Sequence, residues 1–198
     1  MAHPRRDCAP HSGSLRGIMS GGDERTKQRP LLQTERLLLR RPDATDVGAI
    51  MAIVGDWEVV RRLARVPHPY RETDAHFFLN NVVPNEWVWA ITLRESREVV
   101  GMVGLTPEAD PDTAELGYYV ARDHWGNGIA TEAALSVIHY GIESLGLRRI
   151  RSGHFVDNPA SGRVLSKLGF VEIGRSERPC LAIGSTLPSV EVHLEVSG

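Results

Sequence analysis

The residues best suited to chemistry in this 198-residue chain form one short run, His124-Trp125-Gly126-Asn127-Gly128-Ile129-Ala130-Thr131-Glu132. The run follows an apolar, β-prone segment at 116–120 and opens a stretch of helical periodicity reaching about Leu145. That order predicts a strand, a glycine-rich turn and a helix. The first turn of a helix has backbone N–H groups without internal partners and carries a partial positive charge. Gly126 and Gly128 lack the Cβ atoms that would hold a large anion away from those donors, so the turn suits a phosphate or pyrophosphate. Two glycines ahead of a helix are also what an ordinary turn uses. The dinucleotide fingerprint is excluded, because its third glycine is missing and no βαβ unit precedes the turn. The P-loop is excluded because no Gly-Lys-Ser/Thr ending follows.

The elements that must position this turn are readable from caps, periodicity and prolines. Residues 35–40 read as a strand stopped by Pro42; Asp43 caps a helix over 44–54, Asp56 another to about Leu63, and Thr73 starts a third reaching about Val83. Residues 87–93 and 98–105 alternate as strands joined by a polar turn at Arg94, which predicts an antiparallel hairpin. A further strand ends at Val120. After the central helix, 148–155 reads as a strand, Asn158-Pro159 starts a short helix closed by Gly169, and 170–173 and 190–196 supply the last strands. This order predicts an α/β (α+β) layer protein with a mixed sheet.

Composition bounds the rest. Hydrophobic residues at 41%, charged residues at 24% and a net charge of −2 are ordinary for a globular chain, long enough for one domain with a substantial core. Basic residues are scattered, which argues against a nucleic-acid surface. Cys8 and Cys180 form no CxxC pair and have no His-rich partner spacing, so neither a disulfide framework nor a metal site is expected, and a cytoplasmic location fits. No apolar run approaches the roughly 18 residues of a spanning helix. Residues 1–30 hold few large apolar side chains, and Arg5-Arg6 is followed by no apolar core, so an export signal is not expected. The expectation is a disordered tail over 1–30 and one domain over 31–198, with Met19 an alternative start.

The order of elements and three motifs resemble the GNAT superfamily of acyl-CoA-dependent N-acyltransferases. Trp125-Gly126-Asn127-Gly128-Ile129-Ala130 resembles the family's Q/R-x-x-G-x-G/A turn, with tryptophan in place of the first polar residue. Together with Thr131-Glu132-Ala133 it is similar to the branch of ribosomal-protein N-terminal (alanine/serine) acetyltransferases. Thr34-Glu35-Arg36-Leu37-Leu38-Leu39-Arg40 resembles that branch's opening strand, and the run from Asn158 through Ser161 to Lys167-Leu168-Gly169-Phe170 its late helix. The resemblance implies a single-domain GNAT-like fold: a mixed, mostly antiparallel sheet of about six to seven strands, splayed between the fourth and fifth and flanked by helices. It implies acetyl-CoA as cosubstrate, without a metal, and a primary amine as acceptor, either a protein N-terminus or a small amine. A monomer or homodimer, with neither nucleic acid nor membrane as partner, goes with that. The alternative, from another class, is a non-catalytic acyl-CoA-binding or sensing module.

The implied pyrophosphate would sit on the N–H groups of about Gly126 to Thr131, through Asn127, Gly128, Ile129 and Ala130, with Trp125 counted in the same cofactor-binding run. The resemblance places the pantetheine arm beside Tyr119 and Val120, with Asn158 binding the same region. Many relatives carry a tyrosine acid in the late helix; Leu165 stands there, and in the resembled branch a serine, here Ser161, approaches the sulfur instead. Glu115, at the start of the strand leading to the turn, is the first candidate for base or amine-binding carboxylate, and His154 the second. Asn158 and Ser161 also suit a helix cap and first turn. On the acceptor side the resemblance points to Trp57, His68, Tyr70, Trp87 and Trp89, although two tryptophans on one strand face also suit a core. Arg61, Arg62 and Arg65 read as a solvated face or as an attraction for an acidic acceptor.

Overall fold

The computed structural model describes residues 29–196, so the expected tail lies almost wholly outside the described residues, as do Cys8 and Met19. One sheet of eight strands runs β1-β2-β3-β4-β5-β6-β8-β7. The strands are β1 (Leu32–Gln33), β2 (Leu37–Arg40), β3 (Trp87–Leu93), β4 (Val99–Pro107), β5 (Thr113–Val120), β6 (Arg149–Phe155), β7 (Val171–Cys180) and β8 (Ser185–Glu195). The helices are α1 (Val47–Gly55), α2 (Trp57–Val60), α3 (Glu72–Phe77), which continues as a wider turn over Phe78–Val82, α4 (Ile129–Glu143) and α5 (Pro159–Lys167). All neighbouring strands are antiparallel except β5 and β6.

Two cores sandwich the sheet. On one face α4 buries Ile129, Ala133, Ala134, Val137 and Ile138, a helical stripe, against Leu37, Trp89, Leu105, Leu116 and Ile150 of the strands. On the other, Ile50 and Val54 of α1 and Ala75 of α3 pack on Ala90 and Met102. With both faces covered, β3 is apolar along nearly its whole length. Each buried Val, Ile or Leu contributes about 1.5–3 kcal/mol.

The strand count exceeds the six to seven expected. The added strand is β1, too short to carry a period, and β7 and β8 extend well beyond 170–173 and 190–196. Pro179 and Pro188 interrupt their sequence pattern, but Pro179 lies on the edge strand β7, where a missing N–H is tolerated, and Pro188 lies one residue beyond the last β6–β8 pair, Phe155↔Ser189.

The irregularity that matters lies at the sheet's centre. β5 and β6 pair only at Thr113↔Arg149, Ala114↔Ile150 and Glu115↔Arg151. β5 continues to Val120 and β6 to Phe155 without a partner between them, so the sheet opens as a wedge. β5 leads directly into the glycine turn, and α5 follows β6, so the wedge, the turn and the first residues of α5 share one end of the molecule.

Candidate active site

At the wedge, side chains and backbone of β5 divide between two faces and two neighbours. Ala121 N–H donates to the Val100 carbonyl at 2.7 Å. Antiparallel alternation then turns the backbone groups of Tyr119 and Gly117 toward β4, and those of Val120 and Tyr118 toward the gap. Tyr118, not the expected Tyr119, is therefore the tyrosine whose backbone lines the opening. Tyr119 sends its side chain into the α1 core, where burial and then the neighbouring Tyr70 raise its hydroxyl pKa. The Val120 carbonyl accepts from Trp125 Nε1 at 2.7 Å, which leaves the Val120 N–H for a ligand.

The turn itself has the predicted form. Gly126 and Gly128 lie at φ +78° and +77°, conformations that side-chain-bearing residues adopt at a cost of roughly 1–2 kcal/mol. Gly128 is the N-cap of α4, and no side chain caps the helix. Glu132 N–H donates to the Gly128 carbonyl at 3.0 Å, closing the first helical bond. Among the described residues the N–H groups of 126–131 have no such backbone partner, and the turn that carries them follows directly on the unpaired end of β5. Ile129 is buried and Ala130 packs on the same core, so the side chains of these two face away from the open turn. The Trp125 indole is not an anion ligand; it is half-exposed beneath the Arg62 guanidinium, 5.1 Å from the ring centre.

Across the gap, Asn158 caps α5 by accepting from Ser161 N–H at 3.3 Å, with Pro159 in the first turn. The Ser161 hydroxyl lies 2.8 Å from the Tyr118 hydroxyl. Burial pushes Tyr118 up to about 12, against the opposing hydrogen bond from Ser161. Tyr118 is not among the residues expected from the sequence, where its only signal is its even spacing from Val120 along an alternating strand. His154 faces this same side, its ring against Gly162 and Nδ1 3.0 Å from the Phe155 carbonyl. Glu115 pairs in register with Arg151, so His154, an odd number of residues further along β6, lies on the other face of the sheet.

Glu115 lies on the opposite face of β5. Arg178 Nη1 donates to its Oε1 at 2.5 Å, and the same guanidinium forks onto Glu191 through Nε at 2.7 Å and Nη2 at 2.5 Å. Those hydrogen bonds raise the Arg178 pKa and hold Glu191 below its ordinary value, against the cost of burial. The Arg178 guanidinium lies over Gly153 of β6, where a Cβ would sit 2.7 Å from its central carbon, so a larger residue there would displace the guanidinium from its two carboxylates. Gly117, next on the same face as Glu115, has nothing within 4 Å of where its Cβ would be, and Tyr70 stands beyond it beside Tyr119. His68 and Trp57 form an edge contact at 5.2 Å, with Trp57 exposed.

Two acceptor-side expectations are corrected. Trp89 is fully buried with Nε1 on the Pro30 carbonyl, and Trp87 is nearly so. Both belong to the α4 core, the face away from Glu115 and Gly117, because odd positions of β3 point there. None of the three arginines is free: Arg61 and Arg62 are half-buried, and Arg65 is exposed as a solvated face would have it, but each is paired. Arg61 pairs with Asp157 at 3.0 Å, Arg62 with Glu58 at 2.9 Å, and Arg65 with Glu86 at 2.9 Å. Through Arg61, α2 is strapped to the loop after β6. Among the described residues no group of three or more His, Cys, Asp or Glu is placed to hold a metal ion, and no helix is long and apolar enough to cross a membrane.

A mostly antiparallel sheet opened at one parallel junction, with an uncapped helix N-terminus at the opening, defines a class of α/β group-transfer enzymes. The chain belongs to the GNAT acetyltransferase family: residues 36–171 match the Acetyltransferase (GNAT) domain. YoaA, an uncharacterized N-acetyltransferase of Bacillus subtilis (strain 168), is 32% identical over 164 residues, 73% of this chain and 85% of its own. The ribosomal-protein-serine acetyltransferase of Escherichia coli (strain K12) is 36% identical over 75 residues, 37% of this chain and 42% of its own. A solved spermidine N-acetyltransferase from Vibrio cholerae, in complex with CoA and spermine, has a TM-score of 0.71 at 19% identity, covering 82% of this chain and 96% of that one. At that identity the likeness is one of fold. The protein is thus an acetyltransferase by family, and enzymes of this family use acetyl-CoA.

Proposed function

We propose that the protein transfers an acetyl group directly from acetyl-CoA to a primary amine, with the thioester lying across the β5–β6 gap. The observation that carries this reading is the uncapped N-terminus of α4, with its two left-handed glycines, at the mouth of that gap. The free N–H groups of the turn hold the pyrophosphate. The strand groups of Tyr118 and Val120 N–H take the pantetheine amides, as a missing strand would. The NH2 of Asn158, whose oxygen is spent on the cap, contacts the same arm.

The two sides of the gap then have separate tasks. The amine enters on the face of Glu115, where two carboxylates share one guanidinium and leave a net negative charge that attracts an ammonium. Glu115 Oε2, without a partner among the described residues, accepts the amine proton through water as the C–N bond forms. On the other face Ser161 donates a hydrogen bond to the sulfur as the C–S bond breaks, backed by Tyr118. Thiols have a pKa near ~8.5, so hydrogen-bond donation suffices where the tyrosine acid is replaced by Leu165. An α-amine, with pKa about 8, reaches its neutral form for about 1 kcal/mol at neutral pH, whereas a lysine near ~10.4 needs about 4–5 kcal/mol. This weakly based site therefore favours a protein N-terminus or a weakly basic small amine.

Calorimetric titration with acetyl-CoA tests the reading, with dephospho-CoA and ATP as controls. Micromolar binding that a Gly128→Val variant loses by about tenfold or more supports it, since the left-handed turn disfavours valine by roughly 1–2 kcal/mol. Equal binding by the variant would remove the pyrophosphate from this turn.

A further inference from the structure

The opening motif, Thr34-Glu35-Arg36, plays no part in the chemistry above, yet the structure brings it onto the glycine turn. Glu132, in the first turn of α4, has both carboxylate oxygens taken by this motif. Oε1 accepts from the Thr34 hydroxyl at 2.6 Å and from Arg36 N–H at 3.0 Å. Oε2 accepts from Arg36 Nε at 2.7 Å and lies 2.6 Å from Nη2. Arg36 Nη1 reaches past the carboxylate to the Asn127 carbonyl at 2.9 Å. Thr34 is itself fixed, its hydroxyl accepting from Leu37 N–H at 2.9 Å. Burial raises the Glu132 pKa, and the Thr34 and Arg36 bonds outweigh it, leaving the carboxyl below its ordinary value.

We propose that Arg36 is a positioning residue for acetyl-CoA, setting the direction of the turn's N–H groups and cancelling the Glu132 charge beside them. The inference rests on the assignment of the pyrophosphate to this turn. In a trans peptide the C=O and N–H point in opposite directions. Drawing the Asn127 carbonyl toward Arg36 therefore aims the Gly128 N–H the other way. Glu132 has the second effect. A free carboxylate in a first helical turn is favourable for the helix and hostile to an incoming phosphate. Held by Arg36, it neither bonds the uncapped N–H groups nor repels the ligand.

The test is the dissociation constant of acetyl-CoA, by calorimetry on the full chain, for wild type, Arg36→Gln, Arg36→Lys and the double variant Arg36→Gln/Glu132→Gln, with thermal unfolding of each. Arg36→Gln is expected to weaken binding about tenfold or more, by an amount that shrinks as salt is raised. Arg36→Lys falls between, since lysine restores the charge without the fork. The double variant binds more tightly than Arg36→Gln alone, although it has lost one more native side chain, an outcome that a purely structural clamp does not give. Binding by Arg36→Gln within about twofold of wild type, whatever its melting temperature, overturns the inference while leaving the cofactor assignment intact. A double variant no better than Arg36→Gln overturns the charge-cancelling role. A wild-type chain that binds no acetyl-CoA overturns the cofactor assignment itself.

Discussion

The glycine turn and the acceptor floor occupy opposite sides of one gap and are built by opposite means. The turn is backbone: two residues at positive φ and a helix start without a cap, specified within a few consecutive residues. The floor is side chain: Glu115 from β5, Arg178 from β7 and Glu191 from β8, brought over Gly153 of β6. A site made of backbone geometry tolerates little change at its glycines and much at its neighbours. A site made of ion pairs between distant strands depends on each partner, and its charge balance is easily retuned. This contrast fits a family with one cosubstrate and many acceptors.

Arg178→Met breaks the contrast most sharply. It leaves Glu115 and Glu191 without the guanidinium that bridges them, with only the more distant Arg151 acting on Glu191, at an expected cost of about 2 kcal/mol, between that of exposed and fully buried pairs. A melting temperature lower by about 4–8 °C checks this. The acid limb adds a second readout. Glu191 has a folded pKa below its ordinary 4.5, so its stabilisation is present above about that pH and is lost as pH falls through the folded value. The variant's stability should vary less with pH in this range, while acetyl-CoA affinity stays as in wild type.

Gly117→Val sharpens the comparison from the floor's side. The position has open space above it, so the fold should accept the side chain, and only an incoming amine should meet it. Steady-state kinetics should show the acceptor KM raised by about tenfold, with the KM for acetyl-CoA unchanged; the reverse pattern would put the acceptor elsewhere. Tyr118→Phe has the smallest expected effect. Removing one hydroxyl next to Ser161 should lower kcat by about three- to tenfold without changing acetyl-CoA affinity, and Tyr118→Phe added to Ser161→Ala should cost little more than Ser161→Ala alone. Fully additive losses would separate the two hydroxyls.

The same contrast explains what could be read from the chain. β3 was delimited to the residue, and Asn158, Pro159 and Gly169 bounded α5, because caps, prolines and alternation act over a few positions. The turn was legible for the same reason. Arg178 was invisible because its meaning depends on a register 63 residues away from Glu115 in sequence. Tyr118 was passed over for Tyr119 because a one-residue shift along a strand exchanges both the face of the side chain and the neighbour of the backbone. Trp87 and Trp89 suited core and groove equally as sequence; only the side on which α4 packs separates the two.

The wedge between β5 and β6 also has a consequence for the unliganded protein in solution. Amide hydrogens of Tyr119 and Ala121, directed into β4, belong to a closed ladder, whereas those of Tyr118 and Val120 point into the gap. Along one rigid strand, neighbouring amides should therefore trade hydrogen for deuterium at alternating rates, slow and fast. A ligand bridging the gap would bring the two sets together, making the sheet's exchange pattern a residue-by-residue ruler of how far the arm has entered.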